Sequence, residues 1–279
     1  MTETLRVIDP KGVPGRYPGI YYYRSLLGCP RRRLLSKGLP EDPEESADSR
    51  VGRWFHALAA PYYTDEPVSM DFTTLEMDPD RTEALRLFEE YRRRFLPTEF
   101  GKVLGAEVEF PADDEQQMEL EAFFGGPIGG KLDLLVNVGA DEVDYLNRTR
   151  HVEMTPGIWI VDHKVKRARS GDVVIQAQLD EQFALYAAAW NRLNPDRPVR
   201  GTLANIIFKY KKLDDHAFLT IQVPPPTELE IAVVREIIQE GCRIVKEKTR
   251  NWANPRVCFE FGRVCPHLIS GACNRLNFC

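Results

Sequence analysis

Residues 129–138 read GGKLDLLVNV and residues 158–166 read IWIVDHKVK, and these two stretches are the central strands of the predicted fold. Both are short, largely apolar and bounded by turn residues, which is typical of buried β-strands. Because strand side chains alternate between the two faces of a sheet, Asp162 and Lys164 share one face and His163 points to the other. The second strand therefore places a carboxylate and an ammonium side by side in an apolar setting.

Asp133, inside the first strand, brings a second carboxylate to the same neighbourhood. Buried charges are costly unless they pair or bind a metal. Carboxylates suit hard cations such as Mg²⁺ and Mn²⁺, so Asp133 and Asp162 would hold the ion with help from a main-chain carbonyl near His163. The ion would activate a water, and Lys164 would orient that water or offset charge on a phosphate. The pattern predicts metal-assisted phosphodiester hydrolysis, and the alternative is a structural pair of Asp162 and Lys164 at a strand end.

The chain on either side of these strands shows helical and strand patterns in turn. Helices are predicted at about 22–36, 51–63, 79–95, 171–193 and 227–249, and further strands at 106–110, 119–125, 202–210 and 216–223. Residues 139–157 form a polar insert without an assigned element. Strands followed by a long helix and another strand predict an α/β core with helices added before and after it.

We expect three regions in this chain. Residues 1–100 form an N-terminal helical region, residues 101–225 form the core, and residues 226–279 form a final helix with a cysteine-rich tail. The boundaries follow the change from helical to strand patterns and back.

Composition excludes several classes of protein. The 279 residues include 37 basic and 42 acidic side chains, a formal charge of −5, and 43% of residues are hydrophobic, which excludes a disordered or fibrous chain. No apolar run approaches the roughly 20 residues that span a bilayer, and the first residues lack the apolar run of a signal peptide. We therefore expect a soluble, cytoplasmic protein without a membrane partner. The charge argues against coating nucleic acid by bulk charge but allows a local basic channel.

Asp133 followed by Asp162, His163 and Lys164 resembles the PD-(D/E)xK nuclease motif. The resemblance implies a restriction-endonuclease-like core, in which a mixed central sheet is flanked by helices. It also implies that Asp133, Asp162 and Lys164 are catalytic.

Two further segments resemble the RecB-like branch of that superfamily. GRWFHAL at 52–58 is similar to an upstream helix whose histidine is a metal ligand, which implies that role for His56. EQFALY at 181–186 is similar to the downstream QxxxY motif, which implies site roles for Gln182 and Tyr186. These two residues share a face of the predicted helix and could both contact a phosphate backbone. A histidine packed in the core and a chance Gln/Tyr spacing are the alternatives.

The cysteines are unevenly placed along the chain. Four of the six lie in the last 22 residues, and the full set is Cys29, Cys242, Cys258, Cys265, Cys273 and Cys279. In an intracellular chain, such a cluster indicates a metal or cluster site more than a disulfide framework. Cys242, inside the last predicted helix, reads as a small buried residue.

The cysteine pattern resembles the iron–sulfur subgroup of RecB-like nucleases, which includes CRISPR-adaptation, AddB-type and phage exonucleases. The resemblance implies a [4Fe-4S] cluster in a helical subdomain made from both ends of the chain, held by Cys29, Cys258, Cys265 and Cys273. Cys279 is an alternative ligand, and Zn²⁺ is an alternative occupant of four thiolates. Seven residues separate Cys265 from Cys273, a longer gap than the subgroup leads us to expect.

Basic and aromatic residues suggest a path for nucleic acid. Several basic side chains flank the proposed catalytic and cysteine elements, and we expect DNA contacts from Arg31, Arg32, Lys166 and Arg167, together with Gln182 and Tyr186. Four aromatic residues could stack on exposed bases or could equally belong to the core: Tyr21, Tyr22, Tyr23 and Trp54.

These features predict a metal-dependent DNA exonuclease acting at ends or in single strands. The setting would be recombination, repair or phage DNA processing, where a protein partner in a recombination or replication complex is expected. The alternatives are a catalytically silent iron–sulfur protein that binds DNA or supports assembly, and a zinc-stabilised structural protein. Glu107, on the strand at 106–110, is expected to be an ordinary exposed residue or a supporting partner of the site.

Overall fold

A computed structural model describes residues 17–28, 47–65, 78–167 and 172–247 of the chain. Eight helices lie in these ranges: α1 Ile20–Gly28, α2 Ala47–Thr64, α3 Pro79–Arg94, α4 Asp114–Phe124, α5 Ala140–Arg150, α6 Val173–Gln178, α7 Glu181–Leu193 and α8 Glu228–Glu247. Five strands accompany them: β1 Lys102–Phe110, β2 Gly130–Val138, β3 Gly157–Lys166, β4 Val199–Phe208 and β5 Phe218–Val223, the last preceded by a 3-10 turn, Asp215–Ala217. None of the helices in the described ranges is both long and apolar enough to cross a membrane.

The five strands form one mixed sheet in the order β1-β2-β3-β4-β5. β3 and β4 are parallel, whereas the other three neighbouring pairs are antiparallel. The parallel pair is connected through α6 and α7, as a parallel connection requires a crossover. The mixed α/β fold that the sequence predicts is therefore confirmed.

Helices cover both faces of the sheet. Trp159 and Val161 of β3 pack toward α2 and α3, in a cluster that includes Phe55. Ile158 and Ile160 of the same strand pack on the opposite face, toward α1, α4, α7 and α8. Strand alternation is therefore preserved in β3, and both of its faces are buried as expected for a central strand.

The segment 119–125, predicted as a strand, is helical, so that prediction is wrong. It lies in α4, where the side chain of Asp113 accepts a hydrogen bond from the Gln116 N–H and caps the helix. The buried residues Gln117, Leu120 and Phe124 have helical spacing. The short alternation of polar and apolar residues inside ELEAFFG is also typical of a strand. The helix is indicated by the residues before this segment, which include the capping residue Asp113.

Two other predictions need correction. The polar insert at 139–157 contains α5, which buries Val143 and Leu146 against the sheet. The single helix predicted at 171–193 is two helices, because the chain breaks at Leu179 and Asp180 and the side chain of Asp180 caps the second. The helix predicted at 22–36 begins at Ile20, and its part beyond Gly28 lies outside the described residues.

The first and last described helices contact each other. Tyr23 of α1 is buried, and its hydroxyl lies 3.7 Å from Cys242 Sγ on α8. Gly241 of α8 faces the Tyr23 ring so closely that an added Cβ would clash with it. Cys242 is half-buried in this contact, not fully buried as the sequence predicts.

Candidate metal centre and its surroundings

The candidate site lies where β2 and β3 separate. The last aligned pair of these strands at this end is Leu134 with Val161, so Asp133 stands just beyond the ladder. Asp133 Oδ2 accepts a hydrogen bond of 2.7 Å from the main-chain N–H of His163. The side chain thereby bridges the gap between the strands and fixes the position of its own carboxylate.

Three side chains from separate elements converge at this point. His56 on α2, Glu107 on β1 and Asp133 on β2 each offer a ligand atom, and these atoms lie within 4.8 Å of one another. His56 Nδ1 is 3.2 Å from Asp133 Oδ1 and 3.7 Å from Glu107 Oε1. The structure thus brings two of the sequence-predicted metal ligands, His56 and Asp133, together with one that was not predicted as a ligand.

Glu107 has an unusual backbone. Its φ is 51°, in the left-handed region that non-glycine residues rarely adopt. Strained residues of this kind persist where the surroundings hold them, and they cluster at functional sites. The register of β1 and β2 places Glu107 level with Asp133, and Lys131 of β2 forms an ion pair with it.

Asp162 and Lys164 lie on one face of β3, as the alternation predicts. Lys164 Nζ donates a hydrogen bond of 3.1 Å to Asp162 Oδ1 and lies 3.0 Å from Oδ2. Asp162 is only 1% exposed, and among the described residues its Oδ2 accepts no hydrogen bond. Burial and the nearby charge of Asp133 raise the pKa of Asp162, against the opposing effect of Lys164.

The charges around the three-residue group favour a cation. Burial alone would lower the pKa of His56, but the carboxylates of Asp133 and Glu107 outweigh it and raise that pKa to about 10. Burial would raise the pKa of Asp133, yet the positive charges of His56 and Lys164 hold it below its usual range. The carboxylates of Asp133 and Glu107 therefore stabilise positive charge at the position of His56, and Asp133 stays ionised.

Gln182 and Tyr186 lie four residues apart on α7, and Gln182 contacts Lys164. Gln182 Oε1 accepts a hydrogen bond of 2.8 Å from Lys164 Nζ, and its Nε2 donates to the Tyr186 hydroxyl over 2.7 Å. Tyr186 is 8% exposed. Of these two predicted site residues, Gln182 therefore contacts Lys164 directly, and Tyr186 is linked to the lysine through Gln182.

His163 points to the opposite face of β3. Its Nε2 lies 3.1 Å from the Tyr91 hydroxyl, which in turn accepts a hydrogen bond of 3.0 Å from Asn205 Nδ2 and contacts the Tyr63 hydroxyl. Burial lowers the pKa of His163 to about 4, so the ring is neutral at ordinary pH. The imidazole lies on the side of β3 that α2 covers, with its ring centroid 6.2 Å from that of His56, and a role for the His163 carbonyl stays a prediction.

The other predicted site residues fall into two groups. Lys166 and Arg167 are exposed at the end of β3. The remaining predicted DNA contacts and all predicted cluster ligands lie outside the described residues: Arg31, Arg32, Cys29, Cys258, Cys265, Cys273 and Cys279.

The donor set fits a divalent cation. Carboxylate oxygens with one imidazole nitrogen suit Mg²⁺ or Mn²⁺, and Asp162 Oδ2, which accepts no hydrogen bond among the described residues, is a buried acceptor beside them. The residues that would hold the ion are His56, Glu107 and Asp133, with Asp162 adjacent.

This fold and this site indicate a class of proteins, the metal-dependent phosphodiester hydrolases. The family model of the PD-(D/E)XK nuclease superfamily matches residues 21–273, which is most of the chain. The chain therefore belongs to the PD-(D/E)XK nuclease superfamily, whose members use Mg²⁺ or Mn²⁺ and act on nucleic acid. A search of curated proteins found no significant match.

Sequence reasoning missed two participants of the site. Glu107 is expected from the sequence to be an exposed residue or a supporting partner, not a ligand, and its signal is a carboxylate inside an apolar strand. Asp180, which caps α7 and orients its first turn, had no distinguishing signal because the helix break was not predicted.

Proposed function

We propose that the chain is a metal-dependent DNA exonuclease that acts at ends or in single strands. The observation that carries the proposal is the buried pair of Asp162 and Lys164 beside the group formed by His56, Glu107 and Asp133. A purely structural ion pair would not need three more ligand-type side chains beside it. We place the activity in recombination, repair or phage DNA processing, in the cytoplasm, with a protein partner in such a complex.

The residues of the chain divide the work of hydrolysis. The bound cation would supply positive charge to the phosphate and an activated water. Lys164, held by Asp162 and Gln182, presents a fixed ammonium to the negative charge that develops on the phosphate. Gln182 keeps that ammonium in place and is itself bound to Tyr186, and the exposed Lys166 and Arg167 would contact the nucleic-acid backbone.

Cleavage of labelled DNA tests this proposal directly. Linear single-stranded and double-stranded DNA should be degraded with Mg²⁺ or Mn²⁺, and Asp162→Asn and Lys164→Ala should each lose most activity. Asp144→Asn, which changes an exposed carboxylate on α5, is the matched control and should remain active. Equal activity of Asp162→Asn and the wild type would refute the site.

The form of the nucleic acid tests the exonuclease mode. An exonuclease leaves circular single-stranded DNA intact and releases mononucleotides or short products from linear DNA. Rapid cutting of the circle would contradict that mode, and preference for RNA would contradict a DNA substrate. Binding without cleavage of any form would favour the silent binding protein instead.

We further propose that the chain belongs to the RecB-like branch and its iron–sulfur subgroup. Cys29 follows directly on α1, whose Tyr23 contacts Cys242 of α8, and α8 leads toward the cysteine-rich tail. This contact supports a subdomain formed by regions 1–100 and 226–279 around the core at 101–225. The ligands would be Cys29, Cys258, Cys265 and Cys273, with Cys279 as the alternative.

Metal analysis of anaerobically purified protein tests the cluster. We expect about four iron atoms per chain and broad absorption near 400 nm if a [4Fe-4S] cluster is present. Cys29→Ser should lose the iron, whereas Cys242→Ser should keep it. Zinc in place of iron would contradict the assignment and favour the zinc-stabilised alternative.

A further inference from the structure

Tyr21 stands apart from the other aromatic residues near the start of the chain. Tyr23 is buried, Tyr22 is half-buried with its ring edge-on to Tyr23, and Trp54 is half-buried under the guanidinium of Arg81 at 4.0 Å. Tyr21, in contrast, is 51% exposed. Of these four candidates for stacking on a base, Tyr21 offers the most open ring.

The hydroxyl of Tyr21 is anchored in the site. It lies 3.0 Å from each carboxylate oxygen of Asp180 and 3.2 Å from Gln182 Oε1. The same Gln182 oxygen accepts the hydrogen bond from Lys164 Nζ. One amide oxygen therefore separates the exposed ring from the catalytic lysine.

A second contact fixes α1 against the start of α7. Arg24 lies one turn after Tyr21, and its guanidinium is 2.9 Å from the Glu181 carboxylate. With its hydroxyl and its helix both tied to α7, the Tyr21 ring is held in one place. A ring ordered in advance loses little conformational freedom when it binds a flat partner.

Two apolar side chains are exposed in the segment that precedes Asp180. Leu179 directly precedes Asp180 and is 70% exposed, and Ile175, four residues earlier on α6, is exposed as well. Exposed Lys166 and Arg167 lie at the end of β3, the strand that carries Lys164. Exposed apolar and basic side chains on the segments that carry Asp180 and Lys164 match a nucleotide, which has a flat apolar face and a charged backbone.

We propose that Tyr21 stacks on the nucleobase next to the phosphate that Lys164 contacts. This inference rests on the proposed function and adds to it a reason for preferring unpaired nucleic acid. Both faces of a base inside a duplex are covered by neighbours, so only an unpaired or terminal base can present a face to the ring. Tyr21 thus selects single strands and frayed ends.

Equilibrium binding tests the stacking role separately from cleavage. The probe is a single-stranded oligodeoxynucleotide carrying one 2-aminopurine, measured in EDTA by anisotropy for affinity and by quenching for stacking. Tyr21→Leu should weaken binding about tenfold and abolish the quenching. Tyr21→Phe and Tyr21→Trp keep a flat ring and should bind within about threefold of the wild type. Tyr145→Leu, at another exposed tyrosine, should behave as the wild type.

Results other than those expected would refute either the stacking of Tyr21 or the proposed function as a whole. Unchanged quenching in Tyr21→Leu, or an equal loss in Tyr21→Phe, refutes stacking on the ring. Circular dichroism checks whether Tyr21→Leu is folded. If that variant is unfolded, Tyr21→Trp is used instead. Loss of binding or of quenching in Tyr21→Trp then refutes the stacking role of Tyr21. A wild type that neither binds nor cleaves nucleic acid refutes the proposed function itself, whereas a wild type that cleaves while Tyr21→Leu binds normally refutes only the stacking.

Discussion

Among single residues, the two members of the Asp162–Lys164 ion pair differ in burial, and Asp162 depends more on its partner than Lys164 does. Asp162 is almost completely buried, whereas a quarter of the Lys164 side chain is exposed. Removing the lysine would leave a buried carboxylate without its main partner, which is more costly than removing both charges.

A double-mutant cycle in EDTA measures this dependence. We expect Lys164→Met to lower the free energy of unfolding by about 3 kcal/mol, because the Asp162 charge becomes uncompensated. The double variant Asp162→Asn/Lys164→Met should recover part of that loss. Urea denaturation of the four proteins gives the coupling energy, and simple additivity of the two substitutions would contradict a coupled pair.

Glu107 is the residue whose importance only its surroundings reveal. Glu109, two positions along the same strand, is exposed at the end of its strand, whereas Glu107 lies among His56, Asp133 and Lys131. Two glutamates that look alike in sequence therefore have different environments.

We expect Glu107→Gln to weaken Mn²⁺ binding at least about tenfold, because it removes one negative charge from the ligand group. Nuclease activity at limiting metal should fall with it and recover in part at high metal concentration. Isothermal titration calorimetry measures the affinity, with Glu109→Gln as the matched control. Equal effects of the two substitutions would exclude Glu107 from the metal site.

At the scale of elements, the break between α6 and α7 positions the site. Asp180 caps α7 through the Gln182 N–H over 3.0 Å and also meets the Tyr21 hydroxyl. A continuous helix would lack this cap. The break therefore links the N-terminal helix to the residues that hold Lys164.

Asp180→Ala should cost about 1 kcal/mol of stability, the usual effect of losing a capping side chain. Asp172 offers a close control, because it occupies the same position before α6 but makes no capping hydrogen bond with its side chain. Asp172→Ala should therefore change stability little. Thermal or urea denaturation compares the two, and equal costs would show that the cap contributes nothing specific.

At the scale of the whole molecule, the site is a product of the sheet and the helices on both faces. His56 comes from α2 on one face, Gln182 from α7 on the other, and Glu107, Asp133 and Asp162 from three adjacent strands. A ligand that ties such distant segments together stabilises the folded chain against the unfolded one.

Mg²⁺ or Mn²⁺ should accordingly raise the melting temperature. At about 100 times its dissociation constant, a bound ion adds roughly 2.7 kcal/mol, which corresponds to several degrees for a chain of this size. Differential scanning fluorimetry with and without EDTA measures the shift. Asp133→Asn should show little shift, and an undiminished shift in that variant would place the bound ion elsewhere.

Much of the fold followed from local patterns. Apolar stretches that contain charged residues identified β2 and β3. Alternation along β3 correctly predicted that His163 lies on the face opposite to Asp162 and Lys164. The helical character of 119–125 was missed because seven residues carry too little periodicity, while its cap at Asp113 lay outside the window. The break at Asp180 was missed because apolar residues continue across it.

Local patterns along the chain were enough to predict the α/β class and the two motif strands, together with the order of His56, Asp133, Asp162, Lys164 and Gln182. The inclusion of Glu107 in the ligand group and the contact between Tyr21 and Gln182 became visible only in the folded chain. This is because strand alternation and helical periodicity are local properties of the chain. Which carboxylate faces which, across strands and helices far apart in sequence, depends on register and packing, and these are set only when the whole chain folds.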